Sequence, residues 1–295
     1  MKKYFAVLLL FVTSIVFAQD QTAATPPSDW ASKMNVGANF SQVGLSNWAG
    51  GGESSLSLTG LMTYSLIYIK DIWKWENTAD IAYGIIQQGD KATRKSDDKI
   101  ILNSKLGRNF AENWSFTGLL EFRSQFAEGF KYSVVNNVET ATFVSKFMSP
   151  AYLTASVGIE YKPNDQLSLY VTPITGKTTF VLSDTLSKQG AYGVTPGENV
   201  LNQFGILSVA EFKTPLMTNI NFTTKLTLFD DYKKLSLIDV NWETLFLFTI
   251  NEYINASFAT NLIYDDDIII TRANGTTGKD VQIKEVIALG ILYTF

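Results

Sequence analysis

Trp114–Phe126 reads WSFTGLLEFRSQF, and its residues change character one by one. Trp114, Phe116, Gly118, Leu120, Phe122 and Phe126 share one parity; Ser115, Thr117, Leu119, Glu121, Arg123 and Gln125 share the other. Successive side chains of a strand point to opposite faces, so this stretch is an extended strand with an aromatic, apolar face and a polar, charged face. Residues 34–42 repeat the pattern, setting Met34, Val36, Ala38 and Phe40 against Asn35, Gly37, Asn39 and Ser41. Residues 219–228 do the same, with Ile220, Phe222, Leu226 and Leu228 against Asn221, Thr223, Lys225 and Thr227.

Twelve such segments fill the chain from Lys33, at about 33–43, 54–68, 72–86, 99–110, 113–127, 150–161, 166–179, 202–213, 219–229, 235–249, 253–264 and 281–295. They are longer than the ~5–6 residues usual for soluble strands and match the ~9–11 that a tilted membrane strand needs. Their connections alternate long and short: 44–53, 69–71, 87–98, 111–112, 128–149, 162–165, 180–201, 214–218, 230–234, 250–252 and 265–280, with 230–234 the exception. Tight turns at one end and longer loops at the other mark an outer-membrane barrel, and an even strand number places both termini on the periplasmic side. A soluble sandwich or barrel gives no reason for that alternation, and a twelve-stranded closed sheet is too wide for side chains to fill simply. The expected fold is all-β, a twelve-stranded antiparallel transmembrane barrel over residues 33–295.

The two ends agree with export. Met1–Ala18 carries Lys2 and Lys3, then an apolar run from Phe5 to Phe17, with small Val16 and Ala18 before a cleavage point. This is a signal-peptide pattern, too short to span a bilayer as an anchor. Residues 19–32 contain Pro26 and Pro27 and read as a flexible lead-in. At the other end Ile287, Leu289, Ile291, Tyr293 and Phe295 share one face. That ending resembles the signal by which outer-membrane assembly machinery recognises barrel substrates, which makes the machinery an expected partner through the Phe295 strand. Tyr68, Trp73, Trp75, Trp114, Tyr161, Phe212 and Phe248 fall at periplasmic strand ends, where amphipathic rings favour the lipid headgroup zone.

Composition narrows function mainly by exclusion. The 295 residues are 46% hydrophobic and 18% charged, with no His and no Cys. There is no Ser-His pair, no thiolate nucleophile and no imidazole or thiolate metal ligand. A net charge of −4 without a basic block makes nucleic acid an unsuitable partner. Carboxylate-pair hydrolysis needs two placed acids, and here the acids are scattered without a spacing signature, so no catalytic residues and no cofactor are expected. Asp265, Asp266 and Asp267 offer hard oxygen ligands but lack the spaced ligands and closing Glu of an EF-hand. They read as solvated surface, with no metal site.

Asn39–Leu58 reads NFSQVGLSNWAGGGESSLSL. Through Gln42, Ser46-Asn47-Trp48 and Gly50-Gly51-Gly52, together with the signal peptide and aromatic ending, the chain resembles a family of uncharacterised barrel-like proteins from Bacteroidota, a domain of unknown function. The resemblance implies an exported, outer-membrane protein over almost the whole mature chain and carries over no active site. Physically the segment is the first outer loop. Its glycines permit backbone conformations closed to other residues, Asn47 can bond its own turn, and Trp48 is a large anchor. Asn47, Trp48, Gly50 and Gly51 are the candidate contact residues there, for a partner or glycan, if the loop does more than pack into the barrel mouth.

Charges on the lipid face are costly, so parity assigns Glu76, Asp80, Lys105, Glu121, Arg123, Glu160, Glu211, Lys225, Asp239 and Glu243 to the lumen. A turn over 230–234 sets Lys225 opposite Asp239 as an ion pair; a turn over 111–113 sets Asn103 opposite Glu121 with Lys105 diagonal. Asp80, Glu121 and Glu243 are left as unpaired acids that favour cations in a small pore. Two functions are in play: a narrow pore or small-solute passage in the outer membrane, or a non-transporting subunit of a larger envelope complex. Lipid is the partner common to both.

Overall fold

A backbone that crosses lipid must satisfy every N–H and C=O internally, and strands do so only in a closed sheet. The computed structural model describes residues 29–44, 54–135, 138–235, 237–271 and 276–295 and shows that closure. The strands are β1 (Trp30–Val43), β2 (Ser55–Lys70), β3 (Trp73–Gln88), β4 (Arg94–Ala111), β5 (Trp114–Ser124) and β6 (Ala151–Tyr161). They continue as β7 (Leu167–Phe180), β8 (Val200–Met217), β9 (Ile220–Asp231), β10 (Asp239–Thr249), β11 (Ile254–Tyr264) and β12 (Gln282–Thr294). Each pairs antiparallel with the next, and β1 closes the barrel on β12 from Asn35↔Thr294 to Asn39↔Gly290.

The outside is the apolar parity. Phe116, Leu120, Ile283, Ile287 and Ile291 are all exposed, Ile287 to 83%, which is the surface a lipid solvent requires. Aromatic rings gather where the tight turns lie. Trp30 packs on Tyr68 at 4.8 Å and on Trp75 at 5.8 Å, and Trp114 on Tyr161 at 4.5 Å. Those contacts explain why β1 starts at Trp30, inside the stretch read as lead-in. The expected signal peptide at 1–18 and the loop residues Asn47, Trp48, Gly50 and Gly51 lie outside the described residues.

Tight turns at 71–72, 112–113, 162–166, 218–219 and 250–253 close one end; 44–54, 125–150, 181–199 and 265–281 are the long connections at the other. Two connections differ from expectation. β3 and β4 run on to Gln88 and Arg94, so only 89–93 joins them. The β9–β10 connection is 232–238, because Phe229, Asp230 and Asp231 stay paired with β8. Two of the long connections pack against each other. A hairpin (Gly129–Val135 with Val138–Ser145) stands beside the 181–199 segment, which holds the short helix α1 (Asp184–Lys188). Val181, Leu186 and Val194 form a small core there with Phe143, Tyr192 and Leu201 packed against it.

One irregularity in the wall matters for the lumen. In β7 the register slips between Val171 and Ile174, where Val157↔Ile174 follows Ile159↔Val171. Pro173 has no N–H to give the ladder, and Thr172 Oγ1 donates instead to the Val157 and Ile174 carbonyls at 2.6 and 3.0 Å. Gly158 opposite makes room, since a Cβ there would sit 2.3 Å from the Val171 carbonyl oxygen. The extra residue reverses parity along the strand. Tyr170 faces the lumen before the bulge, and Thr175, Lys177 and Thr179 face it after.

Candidate functional site: a charged lumen

Inward parity brings the polar residues of all twelve strands around a common axis. Side chains of adjacent strands meet by register, and those of distant strands by curvature. Two cavities stand out among the described residues. One of about 390 Å³ lies in the half of the barrel with the long connections; its lining includes Glu121, Arg123, Tyr152, Lys177, Lys225 and Asp239. The second, about 480 Å³, opens at the tight-turn end and is lined by Lys74, Glu76, Glu112, Glu160, Lys162 and Asp165 among others. Lys105 lines both.

Lys105 on β4 is held in place by several contacts. Its Nζ donates to Glu160 Oε1 at 2.7 Å, reaching past β5 to β6, and lies 3.5 Å from Glu76 Oε2 on β3. Ser168 Oγ on β7 donates to the same Glu160 oxygen at 2.6 Å. Four side chains from four strands thus tie across the wall. Each carboxylate keeps a cation or hydroxyl partner, as half-buried charges require.

The expected lumen charges are found in altered company. Asn103 does stand opposite Glu121. Glu121 is not unpaired, however; Arg123 Nε donates to its Oε1 at 2.6 Å. Asp80 accepts from Lys99 Nζ at 2.8 Å. Lys225 is opposite Glu243, not Asp239, because the 232–238 connection moves the register. Asp239 accepts instead from Lys177 Nζ at 2.7 Å, three strands away. Sequence reasoning missed Lys177, since unbroken alternation from Tyr170 turns it outward and only the β7 bulge brings it in.

With Lys177 counted, the first cavity carries Lys105, Arg123, Lys177 and Lys225 against Glu121, Glu211, Asp239 and Asp265. The acid excess expected from sequence disappears there, and with it the basis for cation preference. Between these charges part of the lining is apolar: Tyr170, Leu207 and Phe229 cluster with Leu119 and Val209, and Lys177 Nζ lies 5.2 Å from the Phe229 ring centre. Tyr170 keeps its hydroxyl satisfied by Ser156 Oγ at 3.0 Å and the Thr117 carbonyl at 3.2 Å.

Above this cavity the acids of 265–267 are not solvated surface. Carboxylate oxygens of Asp239, Asp265 and Asp267 converge within 4.8 Å, and Asp266 is buried. Protein cations already occupy the cluster. Lys177 lies 3.7 Å from Asp265, Lys234 donates to Asp267 at 2.6 Å, Gln203 Nε2 donates to Asp267 at 2.7 Å, and Lys279 pairs with Asp266. The cluster fastens β7, β8, β10 and two connections together at the mouth. Beside it Tyr192 lines the cavity and donates its hydroxyl to the Val144 carbonyl at 2.6 Å. Burial of this phenol, which lies outside the membrane-spanning strands, pushes its pKa up to about 12.

Residues 40–130 match the model of a family described as "Protein of unknown function (DUF3078)". The match includes most of the Asn39–Leu58 segment but spans β1 to β5 and their connections, less of the chain than the resemblance implied. No curated protein matches the chain in sequence. Among solved structures, an outer membrane channel from Pseudomonas putida F1 is similar, with 8% identity, TM-score 0.42, and coverage of 92% of this chain and 97% of the other. The translocator domain of the autotransporter NalP from Neisseria meningitidis is similar at 10% identity and TM-score 0.38, covering 90% and 87%. The outer membrane channel DcaP of Acinetobacter baumannii is similar at 8% identity and TM-score 0.29, covering 90% and 96%.

Proposed function

We propose that this protein is an integral outer-membrane barrel that gives small solutes a narrow passage. The observation that carries the reading is the pair of lumenal cavities, one toward each end, with Lys105 lining both. A scaffold with no transport role has no need of a lumen hollow from both sides. Balanced charge in the first cavity favours neither cations nor anions strongly, which suits small solutes of little net charge. Export through the 1–18 segment and recognition of the Phe295 strand by assembly machinery complete the proposal. The test is conductance of the refolded protein in planar bilayers, where small, weakly ion-selective channels are expected. Folded protein that inserts and passes no current refutes the passage and leaves the role of an envelope-complex subunit, which co-purification from native membranes then examines.

A further inference from the structure

Lipid offers a strand's backbone no hydrogen-bond partners, so a stretch where neighbouring strands leave each other unpaired carries information. β1 pairs with β2 from Trp30↔Tyr68 to Val43↔Ser55, and β11 pairs with β12 from Ile254↔Ile291 to Ile263↔Gln282. The seam between β1 and β12 has the shortest ladder of the barrel, and on its outer side it ends at Asn39↔Gly290. Carried on, the same register would set Phe40, Ser41, Gln42 and Val43 against Leu289, Ala288, Ile287 and Val286. Both stretches are strand, and each is paired on its other flank, from Phe40↔Leu58 to Val43↔Ser55 and from Val286↔Ala259 to Leu289↔Ala256. They are not paired with each other. At the last pair a Cβ on Gly290 would sit 2.9 Å from the Ala38 carbonyl oxygen, so the strands are pressed together up to the point where the ladder stops. Beyond it Phe40, Val43, Leu289 and Ile287 are exposed, as is Ser41 on the inward parity.

We propose that the outer part of this seam is a lateral portal, through which small uncharged, apolar or amphipathic solutes pass between the lumen and the outer half of the bilayer. Irregular backbone at membrane depth is tolerated where it borders a wet cavity, which is the situation of a seam between lumen and lipid. All eight residues that frame it are uncharged, and Ser41 and Ala288 on the inward parity are small. A solute that keeps its charge pays for desolvation in such a frame, whereas an apolar one moves from one apolar surface to another. The first cavity reaches the same strands: Gln282 and its partner Ile263 line it, together with Leu207, Val209 and Phe229. Next to the unpaired stretch Lys284 reaches past β1, β2 and β3 to donate to Asp97 on β4 at 2.7 Å. A partly exposed ion pair therefore ties β12 across the seam where the ladder does not.

This inference rests on the passage reading for a lumen that solutes enter, but its test is separate. The chain has no Cys, so introduced pairs report without background. The full barrel is refolded in lipid vesicles. Asn35→Cys with Thr294→Cys spans a paired position, where Thr294 Oγ1 already donates to Asn35 Oδ1 at 2.8 Å, and should form a disulfide under mild oxidation. Ser41→Cys with Ala288→Cys should form none and should accept a short bismaleimide bridge instead. The unmodified barrel is also photolabelled with a lipid-soluble phenyl diazirine and mapped by mass spectrometry. Label is expected on the outward Leu120 and Ile283 and also on the lumenal Val209 and Phe229. The bismaleimide bridge should abolish the lumenal label and leave the outward label unchanged. Ala288→Trp, which fills the gap from the inward side, should give the same loss without a bridge. A disulfide at 41 and 288 as ready as that at 35 and 294, an unlabelled lumen, or lumenal label that survives in both blocked variants overturns the proposal. Conductance without lumenal label refutes the portal alone, and label through the seam without conductance refutes the transmembrane passage alone.

Discussion

Lys105→Ala removes a side chain that lines both cavities and ties β4 to β3 and β6. Lys105 holds Glu160 at 2.7 Å and Glu76 at 3.5 Å, with side-chain exposures of 27% for Lys105 and 10% for Glu160. Removing one member of a buried ion pair costs about 3–5 kcal/mol, because the other charge stays behind. Here the lysine is partly wet, and Glu160 keeps the Ser168 hydroxyl at 2.6 Å. Those two facts reduce the cost to about 1–3 kcal/mol. Urea unfolding of the barrel in lipid vesicles, followed by tryptophan fluorescence, measures it by linear extrapolation. Adding Glu160→Gln removes the stranded charge while keeping an acceptor for Ser168, so the double variant should recover part of the loss. In planar bilayers Lys105→Ala should also raise single-channel conductance, since a side chain lining both cavities is then gone. A stability change below about 0.5 kcal/mol, or no recovery in the double variant, refutes the energetic argument. Unchanged conductance refutes a role for Lys105 in limiting the passage.

Lys177→Met should destabilise the barrel by about 2–4 kcal/mol, because it strands Asp239 and Asp265 at once, and Asp239→Asn in that background should restore part of it; additive losses in the urea assay argue against the pair. Tyr192 provides a pH test. Its folded pKa of about 12 lies above the ordinary phenol value near 10, so the stabilisation is complete below pH 10 and is lost as pH rises through 12. Phenolate absorbance of Tyr192→Phe should lose one late-titrating tyrosine relative to the parent protein, and identical titrations count against the buried phenol. The outward tryptophans Trp30, Trp73, Trp75, Trp114 and Trp242 are exposed on the barrel exterior, so brominated lipid should quench most of the tryptophan fluorescence. Little quenching is incompatible with the inside-outside assignment.

Most of the architecture was legible in the chain because side-chain direction in a strand depends only on parity. Trp114–Ser124 alone separates a lipid face from a lumen face, and the same rule places Lys105, Glu121, Arg123, Lys225 and Glu243 inside. Closure was legible too, since long alternating strands joined by short turns leave a meander that has no other way to hide its edges. Partner identity was less accessible. The pairing of Lys225 depended on a turn whose limits shift when Phe229 to Asp231 remain in the ladder. The direction of Lys177 depended on a single inserted residue at Thr172–Pro173, which reverses every side chain beyond it.

Strand number, antiparallel order, apolar exterior and polar interior all follow from local alternation and connection length, and so are written along the chain. Which charges meet is a property of the closed fold. Lys105 reaches Glu160 two strands away and Lys177 reaches Asp239 three strands away. Such contacts exist because a closed sheet curves distant strands toward a common axis, and no linear pattern encodes that distance.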